Sequence, residues 1–316
     1  MQKFLNRIIC GDCIEVLGKV DEPFADLIFA DPPFNIGYKY DKYQDKVKSE
    51  KYVAWTKDWM SVCKRLLKPD GSFYIAIGDD YAANVKIIAD ELGLVMRNWL
   101  IWHYTFGQQT KDKFARSHTH IFYFVQDKKN FTFNDYAVRV PSDRQLIYND
   151  HRANPKGKMP NDVWDSYSRV CGTFKERAGW HPCQMPQPLL ERIVAVSSSK
   201  GDWVLDPFVG SGTTAAAAAS LGRRYTGIEI SPDYAEKAGE RLADWRQPKS
   251  EQQKRPFLEA EELNELRRLL TDMGISAGQV TSDRGLLRII TKQLGVRMNN
   301  GRRYSIINIG TALSSV

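Results

Sequence analysis

The chain has 316 residues, enough for one large domain or two smaller ones. Its 42% hydrophobic and 26% charged residues exclude a disordered or fibrous protein. Lys and Arg number 45 against 38 Asp and Glu, and the excess of +7 lies in residues 128–180 (+4) and 251–316 (+3), around a neutral remainder. Local positive charge points to an anionic partner, nucleic acid being the usual one.

The start of the chain lacks the long apolar region of a secretory signal, and no apolar run approaches the roughly 20 residues that span a bilayer. The expectation is a cytoplasmic protein with no membrane partner. Five irregularly spaced cysteines imply no disulfide framework. Cys10-Gly-Asp-Cys13 has no second pair to complete a zinc site, so no metal is expected.

In chain order, short apolar runs predict buried parallel strands at Arg7–Cys10, Ala25–Ala30, Ser72–Ile77, Met96–His103 and His120–Val125. Two more follow at Trp203–Asp206 and Tyr225–Ile230. Between them, helices are predicted at Tyr52–Leu67, Tyr81–Leu92, Leu189–Val196 and Thr213–Leu221. The first ends in Lys68-Pro-Asp-Gly71, a stop and a turn. Strands alternating with helices imply a doubly wound α/β sheet, mostly parallel. Residues 128–180 break this rhythm, and a segment that long without clear elements is usually functional. The polar stretch 247–256 reads as a linker. Beyond it, Leu263, Leu266, Leu270 and Met273, then Leu286, Leu287, Ile290 and Leu294, form helical stripes. Asn300-Gly301 suggests a hairpin ending in Arg303–Ile309. That order is compatible with a small helical or winged-helix-like module.

Three constellations carry chemistry. The strand Leu27–Ala30 delivers Asp31-Pro32-Pro33-Phe34 to its carboxyl end, where open α/β sheets bind ligands. Two prolines stiffen the loop and lack N–H groups, so nearby carbonyls are free to accept bonds from a ligand. Asp31 adds an acceptor and Phe34 a stacking face, a set suited to a planar substrate with an exocyclic amino group. Alone, Asp-Pro-Pro is more often a plain strand-to-turn corner. The second is Asp206-Pro207-Phe208-Val-Gly210-Ser211-Gly212-Thr213, a strand running into a glycine loop and a helix. Some nineteen residues after Gly210, Glu229 ends the next strand, the ribose-hydroxyl position of nucleotide folds. The loop is neither G-x-G-x-x-G nor a P-loop, so a nucleoside without a pyrophosphate fits better. The third is Asp12 in Cys10-Gly-Asp-Cys13, an acid after a strand, which by itself reads as a turn.

Over about residues 6–245 these motifs resemble the amino-methyltransferases of DNA. Asp31-Pro-Pro-Phe34 is similar to the family's catalytic motif, and Asp206–Thr214 to its cofactor loop. Gly227-Ile-Glu229 with Tyr234 and Arg241-Leu242 resembles the motif that follows. His181-Pro182 and Pro186 resemble the segment before the cofactor loop. That segment departs from the usual His-Pro-Thr-Gln-Lys-Pro at Cys183 and Met185, and Phe34 stands where Tyr is commoner. Catalytic motif first and cofactor loop last is the permuted order of the family's β group.

The resemblance implies a seven-stranded Rossmann-like methyltransferase sheet. Its catalytic half would span 1–127, a target-recognition region 128–180, the cofactor half 181–246, the linker 247–256 and the small module 257–316. It implies methyl transfer from S-adenosylmethionine to N6 of a flipped adenine in duplex DNA, leaving S-adenosylhomocysteine. Asp31, Pro32, Pro33 and Phe34 would be catalytic. Asp12, Cys13, Asp31, His181, Asp206, Pro207, Phe208, Gly210, Ser211, Gly212, Thr213 and Glu229 would hold the cofactor. Lys111, Lys113, Arg116, Arg139, Arg144, Arg152, Lys156, Lys158, Arg169, Lys175 and Arg177 would meet DNA. A nucleoid-associated enzyme, a homodimer and a companion restriction endonuclease are compatible with this reading. The alternatives are cytosine-N4 methylation, an inactive nucleic-acid-binding protein, an RNA substrate and, more distantly, a dehydrogenase. Pro182-Cys183 also resembles the nucleophile pair of cytosine-C5 enzymes, although it does not follow the catalytic strand.

Overall fold

A computed structural model describes residues 1–108, 110–148, 150–172, 176–246 and 258–314. The chain divides into two units. The first comprises Met1–Phe133 and Ser168–Pro248. It begins with β1 (Arg7–Cys10), α1 (Cys13–Gly18), β2 (Ala25–Ala30), α2 (Ser49–Leu66), β3 (Leu67–Ile77), α3 (Asp79–Glu91), β4 (Val95–Gln108) and β5 (Arg116–Val125). After an intervening segment that carries α4 (Asp143–Leu146) and the two-residue β6 (Val163–Trp164), the first unit resumes. It continues through α5 (Gln187–Ser197), β7 (Trp203–Asp206), α6 (Thr213–Ser220), β8 (Arg224–Glu229) and α7 (Pro232–Arg246).

The strands of this unit lie in the order β1-β8-β7-β2-β3-β5-β4. The first strand thus closes beside the last, with Arg7–Cys10 in register with Thr226–Glu229. β5 runs antiparallel to both β3 and β4, which corrects its expected parallel direction. The reason is the short connection from β4 to β5, since a parallel return needs a long crossover. Successive β3 side chains face opposite layers. Phe73, Ile75 and Ile77 pack in the core that holds Trp59, Met60 and Cys63 of α2 and Val85 and Ile88 of α3. On the other face the Tyr74 hydroxyl meets Ser197 Oγ of α5 at 2.8 Å. Helices therefore cover both sides, and the fold is the Rossmann-like α/β fold expected. The expected turn Lys68-Pro-Asp-Gly71 lies inside β3 instead, as a bulge. Ala25 pairs with Leu67 but Leu27 pairs with Ser72. Among the described residues no helix is long and apolar enough to cross a membrane.

The second unit joins Asn134–Tyr167 to Lys249–Val316. It adds α8 (Ala260–Met273), α9 (Ala277–Ser282), α10 (Arg284–Met298) and α11 (Ile306–Leu313). Leu266, Leu269, Val280, Ile290, Leu294 and Ile309 form its core. The sequence separates the 128–180 region from the tail, whereas the structure folds most of the former onto the latter. Buried Arg297 explains this: its Nε donates to Arg139 O at 2.9 Å and its Nη2 to Asp272 Oδ2 at 2.7 Å. Asp272 also accepts from Tyr167 OH. The expected hairpin is absent among the described residues. Asn299, with φ of 45°, caps the end of α10, and Ser305 caps α11 by accepting from Asn308 N at 3.2 Å. Asn299, just before Asn300-Gly301, ends the helix, and among the described residues the tail carries helices and no strand. Residues 247–257, which contain the expected linker, lie outside the described residues.

Candidate active site

Adjacent strands β2 and β7 bring Asp31 and Asp206 to the same edge of the sheet. Both carboxyls face a cavity of about 350 Å³ that also exposes Asp12, Phe34, Phe208, Gly210 and Glu229. Burial, and next the charge of Asp206, push the Asp31 carboxyl up to about 8. Burial pushes Asp206 up to about 7, against hydrogen bonds from Thr214 and the Phe208 N–H that favour the anion. Two carboxyls so placed resist ionising together.

The Asp31 loop is held from behind. Tyr52 OH of α2 donates to Pro33 O at 2.6 Å. The Pro33 carbonyl is therefore committed, which corrects the expectation that carbonyls around both prolines stay free. Buried Asp45 accepts from the Asn35, Ile36 and Tyr38 N–H groups at 2.6, 3.3 and 2.8 Å. Asn35, with φ of 59°, donates to Val47 O and accepts from Val47 N, so both ends of the 35–47 loop are pinned together. Phe34 packs against Gly78, where a Cβ would stand 3.2 Å from the ring.

The glycine loop is equally constrained. Gly210 has φ of +46°, and a Cβ there would come within 2.8 Å of His181 Nε2. Its N–H donates to Glu229 Oε2 at 3.0 Å, and Ser231 N donates to Glu229 Oε1 at 2.9 Å. Burial raises the Glu229 carboxyl. Ser211 and Thr213 join hydroxyls at 2.9 Å, and Arg241 Nη1 donates to Ser211 O at 2.7 Å. Pro207, Ser211 and Thr213 border the cavity. Phe208 sits edge-on to Trp59 and against Trp55, with centroids 5.1 and 5.6 Å away.

Asp12 caps α1 through Oδ1, accepting from Ile14 N at 2.8 Å and Glu15 N at 3.1 Å, and it also lines the cavity. Cys13 is buried and its thiol is pushed up to about 12, which keeps it protonated. His181 packs on Tyr234 with centroids 4.9 Å apart, and burial lowers it to about 4. It is therefore neutral at pH 7. Cys183 borders the cavity and accepts from Tyr40 OH at 3.9 Å. Burial, then nearby Asp31, raise its thiol, the opposite of what an attacking thiolate needs.

The residues expected to meet DNA disperse. Arg116 and Arg169 border the cavity. Arg116 pairs with Asp79 and Asp80, both at 3.0 Å, and Arg169 lies 5.1 Å above the Tyr104 ring. Lys111 and Lys113 are exposed between β4 and β5. Arg177 donates to Gly172 O at 3.2 Å. In the second unit Arg139 pairs with Asp135, Arg144 and Arg152 with Asp150, and Lys158 with Asp143. Lys156 is exposed, and Lys175 lies outside the described residues.

Sequence reasoning missed Asp45, Tyr52 and Trp55. A buried acid in an otherwise polar loop has no local signature, although Tyr52 and Trp55 lie within the predicted helix. Among the described residues, one trio of side chains, Asp79, His118 and His120, has ligand atoms within 4.8 Å of one another. Asp79 is held by Arg116, and His120 Nδ1 accepts from Trp99 Nε1 at 2.9 Å, which leaves the proton on Nε2. Two of the three ligand groups are thus already engaged, by Arg116 and by Trp99.

A doubly wound sheet with acids at the carboxyl ends of β1, β2, β7 and β8, around one glycine-lined cavity, defines the methyltransferase class of α/β fold. Solved structures agree. A Thermus thermophilus DNA modification methylase described as putative, complexed with S-adenosyl-L-methionine, matches with a TM-score of 0.55 and 26% identity over 76% of this chain and 93% of that one. The cytosine-N4-specific PvuII DNA methyltransferase matches with a TM-score of 0.59 and 19% identity over 84% and 92%, a likeness of fold. The chain belongs to the N6/N4 DNA methylase family, whose model matches residues 25–240. Its relatives include the type II methyltransferase M.HpaI of Haemophilus parainfluenzae, 38% identical over 75% of this chain and 74% of that protein. The DNA adenine methyltransferase YhdJ of Escherichia coli is 38% identical over 75% and 82%.

Proposed function

We propose that this chain methylates N6 of adenine in duplex DNA, with S-adenosylmethionine as donor. The observation that carries it is Asp31-Pro32-Pro33-Phe34 at the end of β2, facing the same cavity as the Gly210 loop and Glu229. A relative named as a DNA adenine methyltransferase, 38% identical to this chain, supports that choice of base. The residues present fit such a cofactor. Gly210 brings bare backbone to the cavity wall, its Cβ position being taken by the His181 ring, and Glu229 offers a carboxylate to ribose hydroxyls while still bonding Gly210 and Ser231. A carboxylate has about four acceptor sites, so both duties are compatible. When bound, the cofactor supplies an electrophilic methyl group.

The protein's task is then to make the adenine amino group nucleophilic. Its lone pair is conjugated into the ring. Asp31 and the Pro32 carbonyl accept the two amino N–H bonds, favouring a tetrahedral nitrogen whose lone pair faces the cofactor side. Tyr52, by holding the Pro33 carbonyl, fixes the neighbouring peptide. Phe34 stacks on the base, a contact worth roughly 1–3 kcal/mol. Positioning and local charge carry most of the rate. Asp31, raised to about 8, is also a suitable acceptor for the amino proton once the C–N bond has formed. The test is methylation of DNA by purified protein followed by nucleoside analysis. N6-methyladenine in the wild type and none in Asp31→Ala is the expected pair of results, and N4-methylcytosine would move the assignment to the other base.

A further inference from the structure

Within the first unit, the cavity reaches well past Asp31. β5 runs antiparallel to β3 and β4, with Ile77 and Ile101 both in register with His120. The end of β4 and the start of β5 therefore lie at the sheet edge where Asp31 follows β2. There Trp102, Tyr104, His118, Thr119 and Arg169 line the same cavity, and all five belong to the first unit. The glycine loop and Glu229 stand on the other side of β2, at β7 and β8. The cavity thus has two ends, and the cofactor accounts for one of them.

At the far end a guanidinium is held in place without its charge being used up. Tyr104 OH donates to His118 O at 3.0 Å and lies 3.4 Å from Thr119 Oγ1, while the Trp102 ring meets Tyr104 edge-on with centroids 5.1 Å apart. The ring so fixed carries the Arg169 guanidinium 5.1 Å from its centroid. Stacking occupies a face of the guanidinium and leaves the N–H fork at its edge open. Of the two arginines that border the cavity, Arg116 is taken by Asp79 and Asp80, whereas Arg169 is exposed and pairs with no carboxylate among the described residues. Asp12, Asp206 and Glu229 crowd the cofactor end, so an anion entering the cavity is repelled there and attracted at Arg169. After burial, the Cys183 thiol responds to the charges of both Asp31 and Arg169, so both groups lie within reach of one side chain.

We propose that Arg169, seated on Tyr104, holds a phosphate next to the extruded adenosine and so sets how far the base enters toward Asp31. This deepens the reading of the chain as a DNA methyltransferase and rests on it. A base that has left the stack stays tethered through its backbone. A guanidinium fork that grips a phosphate through two N–H groups fixes its angle as well as its position. Because the guanidinium is already stacked, little freedom is lost when the phosphate arrives.

The test pairs a change in the protein with a change in the DNA. Duplexes carry the recognition site read from the protein's own methylation pattern, and each phosphate beside the target adenosine is replaced in turn by an uncharged methylphosphonate. At one of these positions the wild type is expected to lose roughly tenfold or more in kcat/KM. Arg169→Ala should lose about as much on the unmodified duplex and almost nothing further on the methylphosphonate, and Arg169→Lys should recover part of the loss. Cofactor affinity and thermal melting should match the wild type, since Arg169 is exposed and stands at the opposite end of the cavity from the Gly210 loop. Losses that multiply at every position would overturn the proposal, as would a wild type indifferent to the modification or a variant of full activity on the unmodified duplex. Weaker cofactor binding in Arg169→Ala would assign the guanidinium to the cofactor's carboxylate and overturn it too. Should the wild type methylate no unmodified duplex, the enzymatic reading itself fails and takes the proposal with it, a result separable from the others because it is seen without any variant.

Discussion

Asp31 is asked to be an acceptor in a place that resists its charge. A carboxyl raised from its ordinary 3.8 to about 8 is largely neutral at pH 7 and ionises as pH rises through 8. Asp206, whose charge is the second cause of that rise, is itself pushed up to about 7 by burial. The kcat/KM of the free enzyme should therefore climb between about pH 7 and 9, and Asp31→Asn should abolish turnover. Stability runs the other way. A carboxyl whose pKa is raised by folding favours the folded state at low pH, and that contribution disappears as pH passes through the folded value. Asp31→Asn should accordingly raise the melting temperature at pH 9 while removing activity, which thermal scans at pH 5 and 9 would show. Gly210 is the second sensitive position: Gly210→Ala adds a Cβ 2.8 Å from His181 in a left-handed backbone. The strain is of order 1–3 kcal/mol, and the expected result is weaker cofactor binding by titration calorimetry. Asp31, Phe34, Gly210 and Glu229 were legible in the sequence because strand, turn and spacing mark them. The Asp31–Asp206 coupling was not, since it depends on β2 and β7 lying side by side.

At the level of elements, the loop after β2 shows how a short segment is held without regular structure. Asp45 collects three backbone N–H groups and Asn35 clasps Val47 at both its atoms. Asp45→Ala removes charged hydrogen bonds worth roughly 1.5–3 kcal/mol each and should loosen this loop. Proteolysis within residues 36–44 and a lower kcat are the expected readouts. Tyr52→Phe deletes one bond, to Pro33 O, of about 1 kcal/mol, and should lower kcat more than it raises KM. Strand and helix positions followed apolar periodicity closely. The direction of β5 did not, because a run such as His120–Val125 looks the same in either orientation. Asn300-Gly301 failed as a hairpin signal for a related reason: the residue before it, Asn299, is left-handed and ends a helix, as such a residue does as readily as it turns a hairpin.

Across the whole molecule, the two basic segments separated by about 70 residues of sequence meet within one unit. The charge pattern suggested that both matter and left their association open, because the joining contacts are single long-range ones such as Arg297 to Arg139 O. Arg297 is buried among Glu265 and Asp272, so Arg297→Ala takes a buried cation from both, although Glu265 keeps Arg268 and Asp272 keeps the Tyr167 hydroxyl. A destabilisation of about 3–5 kcal/mol in the second unit is expected, seen as an early calorimetric transition and reduced DNA affinity with cofactor binding retained. The family, the fold and the cavity converge on one central claim, that the chain places a methyl group on an adenine amino nitrogen in DNA. Single-molecule sequencing of DNA from cells expressing the protein tests this most directly, since it reads the modified base and its site together. The account expects N6-methyladenine at one recurrent sequence with wild-type protein and none with Asp31→Ala; unmodified adenine in the wild type, or methylation that persists in the variant, would contradict it.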